Sequence, residues 1–272
     1  MRGATVICSA GLLVAALASA QSQDYQAPRL AGTDHPDLNG IWQAVGTAHW
    51  NVEAHIAQPG PVLELGAIGA VPAGHGVVEG SIPYQPWAAV KKRENFDQRM
   101  TVDPWNREVG DPEVKCYLPG VPRATYLPFP FQIVQGPDEI TIAYEFSAAT
   151  RLIYLRDHQQ PAIDSWMGWS NGRWEGDTLV VDVTGFNGLT WFDRAGNFHS
   201  EALHVIERYT PLTPYHLSYE VTVEDPTVFE RPWTMNMPLY RRMDENAQVM
   251  DFRCLEFVEP LLLGSLSKPG AN

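Results

Sequence analysis

The sequence is poor in cysteine and in basic residues, and each shortage argues against a class of protein. Only three of its 272 residues are cysteine, and no two form a C-x-x-C pair, so thioredoxin-like redox chemistry is not expected. Lys and Arg number 19 against 32 Asp and Glu, which gives a formal net charge of −13. With this acidity and no basic cluster, we expect neither nucleic acid nor an anionic membrane surface as a partner.

The motifs of several large enzyme groups are also missing. The chain contains no G-x-S-x-G nucleophile elbow, no P-loop and no dinucleotide-binding glycine fingerprint. Esterase, nucleotide and nicotinamide chemistry are therefore not expected, and we expect no cofactor. After the N-terminal segment no apolar run is long enough for a membrane-spanning helix, so no membrane insertion is expected.

The chain begins "MRGATVICSAGLLVAALASA", a basic residue followed by an apolar run and a small-residue ending. This order predicts a signal peptide over 1–20, cleaved before Gln21. Residues 21–272 would then form one domain that is exported and is periplasmic or extracellular. In that oxidising environment Cys116 and Cys254 are predicted to form a disulfide, worth roughly 4–5 kcal/mol through the long loop that it closes.

From residue 128 onward, short segments alternate between apolar and polar side chains. In "HLSYEVTVE" the apolar residues fall at every second position, as in an antiparallel sheet with one dry face. Similar segments, from "FQIVQ" to "VMDFRCLEF", are separated by turn signals. The pattern predicts an all-β fold, an antiparallel up-and-down meander of about nine to ten strands closing into a barrel, with a β-sandwich or a small propeller as alternatives.

The N-terminal part is different and predicts one strand followed by a covering segment. The segment "GIWQ" is interpreted as a strand with Trp42 in the core. Residues 45–115 predict an irregular loop and a short helix that begins near Pro86, because proline suits a first helical turn. Long loops of this kind usually cover something, so we interpret 45–115 as a lid or side wrap on the barrel.

Two resemblances follow from these motifs. The G-x-W strand from Gly40 to Trp42, followed by an up-and-down meander, resembles the calycin group, which implies a lipocalin-like barrel. The segments "GRWEGDTLVVDVTGFN" and "WFDRAGNFHSEALHVIERY", together with "CYLPGVPR" and "EDPTVFERPW", resemble a large family of uncharacterised secreted bacterial proteins over nearly the whole mature chain. That family implies no activity, so it assigns no role to any residue.

Residues 191–209 concentrate ionisable side chains around the turn-like "RAGN". If "WFD" and "FHS" flank a hairpin, Asp193 lies opposite Phe198 and diagonal to His199, within reach of its imidazole. Asp193 would then orient His199 as a general acid or base.

His204 is a separate candidate, because on a continuous strand it lies on the opposite face from His199. The two cannot then share a metal ion, and no metal site is predicted. His204, or Asp182 in the apolar "TLVVDVTGF", would serve as a second proton carrier. Alternatively, His204 is solvated and pairs with a cross-strand acid such as Glu220 or Glu224.

The candidate ligand contacts are several aromatic side chains and one arginine. They are Trp166, Trp169, Trp191, Tyr144 and Arg123. Aromatic side chains can line a pocket for a flat or sugar-like ligand, but they also fill β cores. Arg123 is interpreted either as an anion clamp or as the cap of a turn.

Together these features favour an exported enzyme that binds a small-molecule substrate, mainly apolar or cyclic, inside the barrel beneath 45–115. Because no activated nucleophile is visible, acid–base chemistry of the lyase, isomerase or hydratase type fits better than acyl transfer. A non-catalytic periplasmic binding protein and a metal-dependent hydrolase remain as alternatives. The substrate and the oligomeric state stay open.

Overall fold

A computed structural model describes residues 25–60, 63–101, 103, 105–156 and 158–256, so the predicted signal peptide lies outside it. The strands are β1 (Gly40–Ala44), β2 (Phe131–Gln135), β3 (Glu139–Tyr144), β4 (Thr150–Tyr154), β5 (Trp169–Glu175), β6 (Thr178–Thr184), β7 (His204–Thr213), β8 (His216–Glu224) and β9 (Trp233–Arg241). The helices are α1 (Pro86–Gln98) and α2 (Arg123–Tyr126), with 3-10 turns at Leu63–Gly69, Pro112–Lys115 and Phe146–Ala148.

The strands close into one barrel, in which each strand pairs with the next and β9 pairs with β1. This confirms the predicted all-β barrel and rules out the sandwich and the propeller. The prediction of a wholly antiparallel meander is wrong at one step, because β4 and β5 run parallel where Tyr154 lies beside Asn171. Parallel neighbours need a connection that crosses from one end of the sheet to the other, and the chain makes this crossing between Tyr154 and Trp169.

The barrel closes because each strand has one apolar face that must be covered. In β8 every second residue from Leu217 to Val223 is buried, whereas Glu220 between them is exposed. The same alternation buries Trp233 to Leu239 in β9, and Trp42 of β1 is only 1 % exposed, as expected. Each large apolar side chain buried in this way contributes about 1.5–3 kcal/mol relative to exposure.

The described residues of 45–115, here called the lid, contact the barrel at β9 and just after β8. Val78 forms a β-bridge with Met235, and Tyr84 forms one with Phe229. The pairing of β9 with β1 is confined to Leu239 and the two residues after it, so the bridge at Met235 uses an edge that β1 leaves open.

Helix α1 packs against the loop at 192–197. It begins at Pro86, as the sequence predicts, and buries Ala88 and Asn95. The Asn95 Nδ2 group donates to the Gly196 carbonyl oxygen at 3.3 Å. Gly196 has a φ of +83°, and a Cβ there would lie 2.6 Å from the Lys92 carbonyl oxygen, so only glycine fits between the loop and the helix.

The predicted disulfide between Cys116 and Cys254 is present, with a Cα–Cα distance of 5.6 Å. The predicted strand "VMDFRCLEF" is wrong over 249–256, where the structure has no strand; its last residue lies outside the described part of the chain. Instead, Phe252 packs on Phe129 and Phe146, with ring centroids 4.9 and 5.1 Å away.

Candidate functional site

The hairpin predicted around "RAGN" forms, but with a different register. Trp191 and Phe198 are bridge partners, and the Phe192 amide donates to the Asn197 carbonyl oxygen at 2.7 Å. The expected pairing of Asp193 with Phe198 is therefore wrong, since Asp193 lies in the loop and not on the ladder.

Asp193 is completely buried and binds the lid to this hairpin. Its Oδ2 accepts from the Val52 amide at 2.8 Å and from Asn197 Nδ2 at 2.6 Å. Its Oδ1 accepts from the amides of Ala195 and Asn197 at 2.9 and 3.2 Å. Burial raises the pKa of Asp193 to about 6, although these bonds and the positive charge of Arg123 oppose the rise.

His199 is buried and hydrogen-bonded at both ring nitrogens, but not to Asp193. Its Nδ1 lies 2.9 Å from the Ser200 carbonyl oxygen, and its Nε2 lies 2.6 Å from Thr190 Oγ1. A carbonyl only accepts, so Nδ1 carries the hydrogen and Nε2 accepts from the Thr190 hydroxyl. Burial lowers the pKa of His199, which favours the neutral imidazole. Among the described residues no hydrogen bond joins Asp193 to His199, so the predicted dyad is not formed.

His204 and Asp182 meet on the outer surface of the barrel, away from His199. The Nε2 atom of His204 lies 2.5 Å from Asp182 Oδ1, and its Nδ1 lies 3.0 Å from Glu224 Oε2. Partial burial lowers the pKa of His204, but the two carboxylates outweigh it and the net shift is upward. The alternative prediction, a solvated histidine paired with a cross-strand acid, is confirmed for Glu224.

Arg123 is neither a clamp open to ligands nor the cap of a turn. It is 1 % exposed and donates to both carboxylate oxygens of Asp111 at 2.8 and 3.0 Å, and to Glu113 at 2.6 Å. Glu113 also accepts from Arg194 at 3.0 and 2.8 Å. Burial alone would raise the pKa of Glu113, but Arg123 and Arg194 lower it to about 2. Arg123 is thus the centre of a buried ionic cluster that includes Asp111 and Glu113 of the lid.

The four predicted aromatic contacts lie in different places. Trp191 lines a cleft beside His199, whereas Tyr144 lies in the barrel core with its hydroxyl 3.3 Å from Thr125 Oγ1. Trp166 packs on Tyr117, and Trp169 stacks on Tyr154, with centroid distances of 4.8 and 4.7 Å. The structure therefore does not gather these aromatics into one pocket.

The barrel interior holds a polar network that the sequence analysis missed. Arg151 pairs with Glu207, which also accepts from the hydroxyls of Tyr209 and Tyr219 at 2.9 and 2.6 Å. Arg151 Nε donates to Ser170 Oγ at 2.8 Å, and all five residues are buried. A usable signal existed, because Glu207 alternates with Val205 and Tyr209 on the inner face of β7. Removing one partner of such a pair costs about 3–5 kcal/mol, so the network is structural.

A pocket of about 440 Å³, here called the Trp50 pocket, lies within the lid and not in the barrel interior. Fourteen of its sixteen wall residues come from 45–115, and only Arg194 and Ala195 come from the hairpin loop. The apolar wall residues are Trp50, Pro59, Val71, Phe96, Met100, Val114 and Ala195. The polar ones are Asn51, His55, Gln58, Lys92, Arg93, Asp97, Arg99, Asp111 and Arg194. This pocket is therefore not the predicted chamber inside the barrel, since its wall comes from the lid and the hairpin loop.

Arg194 connects the Trp50 pocket to the buried ionic cluster. Its guanidinium carbon lies 4.5 Å from the centroid of Trp50, which places the cation over the indole face. Glu113 holds the same guanidinium from behind. The sequence analysis missed both Trp50 and Arg194, because they are 144 positions apart and nothing local indicates that they meet.

A second cleft of about 560 Å³, here called the His199 cleft, lies between α1 and the loops after β6 and β8. His199, Trp191 and Phe198 line it, together with Lys91 and Glu201. His199 is thus the one predicted catalytic residue that borders a described cavity.

No family model matches the chain, and no curated protein matches it. Over the described ranges no group of three or more His, Cys, Asp and Glu side chains is arranged to hold a metal ion, which gives the metal-dependent hydrolase no supporting geometry. In the same part of the chain no helix has the length and apolar character needed to cross a membrane.

Proposed function

We propose that this protein binds a small, mainly apolar or cyclic molecule in the Trp50 pocket, within the lid. The observation that carries the proposal is a pocket of about 440 Å³ whose wall combines seven apolar side chains with nine polar or charged ones. Binding sites for small molecules have this volume, and they combine apolar contacts with polar groups that orient the ligand. The predicted export and the disulfide are consistent with a binding protein that works outside the cytoplasm.

The lid supports binding because it is anchored at two points along its length. Asp193 holds Val52 at one end, and the Val78–Met235 bridge fixes the segment to β9. A preformed pocket costs little ordering entropy when a ligand enters.

The test uses a neutral fluorescent dye, phenylnaphthylamine, whose emission rises in an apolar site. Wild-type protein should bind it, and Val71→Trp, which fills the pocket from its wall, should weaken binding at least about tenfold, equal to about 1.4 kcal/mol. Leu212→Trp, at an exposed position on β7, is the matched control and should bind like wild type. Absence of dye binding by wild type, or equal binding by Val71→Trp, would overturn the proposal.

A second candidate, acid–base chemistry of the lyase, isomerase or hydratase type, is favoured by His199. The neutral imidazole with a fixed tautomer borders a cleft, and a hydroxyl is bound to its Nε2. Protein incubated with a mixed small-molecule extract should convert at least one compound, measured by mass spectrometry, and His199→Asn should not. Identical spectra from the two proteins would eliminate this candidate.

A further inference from the structure

The charges on the wall of the Trp50 pocket differ in sign from those of the whole chain. The wall carries four cationic side chains, Lys92, Arg93, Arg99 and Arg194, against two acidic ones, Asp97 and Asp111. The whole chain carries a formal charge of −13. A cationic wall on an acidic protein selects for anions near the pocket.

The acidic groups near these cations already have basic partners: Glu53 and Glu113, both outside the wall, pair with Lys92 and Arg194. Asp111, on the wall, pairs with Arg123. Asp111 directs both carboxylate oxygens to Arg123, which is not part of the wall. Glu113, which balances Arg194, is also outside the wall and only 7 % exposed. Arg194 thus lines the pocket beside Trp50, whereas the carboxylate of Glu113 does not line it.

Helix α1 and the residues just after it supply the rest of this cationic surface. Lys92, Phe96 and Arg99 follow the spacing of one helical face, and Arg93, Asp97 and Met100 follow the same spacing beside them. This wall thus carries three cationic side chains, two apolar ones, Phe96 and Met100, and one acidic one, Asp97. Such a wall suits a ligand that has an apolar body and an anionic group.

Resting on the proposed function, we infer that the ligand of the Trp50 pocket is an amphipathic organic anion, such as an aromatic carboxylate. Its ring lies among the apolar side chains near Trp50 and Phe96, and its anionic group faces Arg194 and Arg93.

The experiment compares naphthylacetate with naphthylacetamide, which share one apolar body and differ in charge. Calorimetry and displacement of phenylnaphthylamine should show that the carboxylate binds at least about tenfold more tightly, and that this preference falls as salt is added. Arg194→Met and the exposed Arg93→Met should each reduce the preference, with the larger effect for Arg194→Met. Arg231→Met, an exposed arginine outside the pocket wall, makes the same charge change and should leave the preference unaltered.

The outcomes separate this inference from the proposed function. If the dye binds but carboxylate and amide bind equally, or if Arg93→Met and Arg194→Met both keep the full preference, the inference fails and apolar binding stands. If neither the dye nor either naphthyl compound binds, both fail. Should Arg194→Met fail to fold, the result for Arg93→Met alone tests the inference. Arg93 is exposed on α1, so its replacement should not disturb folding.

Discussion

Asp193 is the residue through which the hairpin loop holds the lid, since its two oxygens accept four hydrogen bonds. Asp193→Asn replaces one accepting oxygen with an N–H₂ group that faces other donors. We expect the free energy of unfolding to fall by about 2–4 kcal/mol, because buried amides lose their acceptor. Chemical denaturation measures the loss, and hydrogen exchange at the Val52 amide should accelerate.

The matched control for this change is Asp97→Asn, which removes the same charge from an exposed position on α1. It should alter the unfolding free energy by less than about 0.5 kcal/mol. If Asp193→Asn is as stable as wild type and hydrogen exchange at the Val52 amide is unchanged, the carboxylate does not hold the lid.

At the scale of elements, strands β6, β7 and β8 are joined on their outer face by His204. Its pKa is raised from 6.5 in the folded protein, because Asp182 and Glu224 outweigh the effect of partial burial. The folded state therefore binds the proton more tightly than the unfolded state. The stabilisation is fully present below about pH 6.5 and is lost as the pH rises through the raised pKa.

The difference in unfolding free energy between wild type and His204→Gln should accordingly be larger near about pH 6 than near about pH 9. The side chain is 31 % exposed, so solvent screening limits the effect to about 0.5–1 kcal/mol. Urea unfolding of both proteins at the two pH values measures the difference. If the unfolding free energy changes between the two pH values by the same amount in His204→Gln and in wild type, this proton does not contribute to stability.

Sequence patterns predicted where the strands lie better than which strands pair with each other. The segments "FQIVQ" and "HLSYEVTVE" coincide with β2 and β8, because alternation and turn residues are local signals. The parallel pairing of β4 with β5 depends on the path of the chain between these strands, which alternation does not encode. In 249–256 the apolar residue Phe252 packs in an aromatic cluster instead of a sheet, and spacing alone cannot distinguish the two uses.

The candidate site was less predictable than the fold, for the same reason. The sequence indicates that 45–115 covers something and that 191–209 is rich in ionisable groups. It does not indicate that Arg194 lies on Trp50, or that Asp193 accepts from Val52. These contacts join distant parts of the chain, and only the fold brings them together.

At the scale of the whole molecule, the disulfide joins the end of the lid to the C-terminal stretch, while the barrel closes independently through β1 and β9. Its cysteines are 138 positions apart, so the bond restricts the unfolded chain strongly. Replacing both, Cys116→Ser with Cys254→Ser, should lower the unfolding free energy by about 5 kcal/mol in the chain-entropy model. The far-UV circular dichroism of the folded state should not change.

Reduction of wild type with dithiothreitol provides the control, since it should reproduce the loss while leaving the double variant unaffected. Limited proteolysis should then cut near Phe252 before it cuts any strand, because the aromatic contacts alone must hold this stretch. If the far-UV circular dichroism signal is lost when the disulfide is removed, the barrel, the lid and the C-terminal stretch form one cooperative unit. The barrel closes through β1 and β9 without the disulfide, which argues for the opposite result. In that case the lid and the C-terminal stretch loosen first, and the strands stay paired.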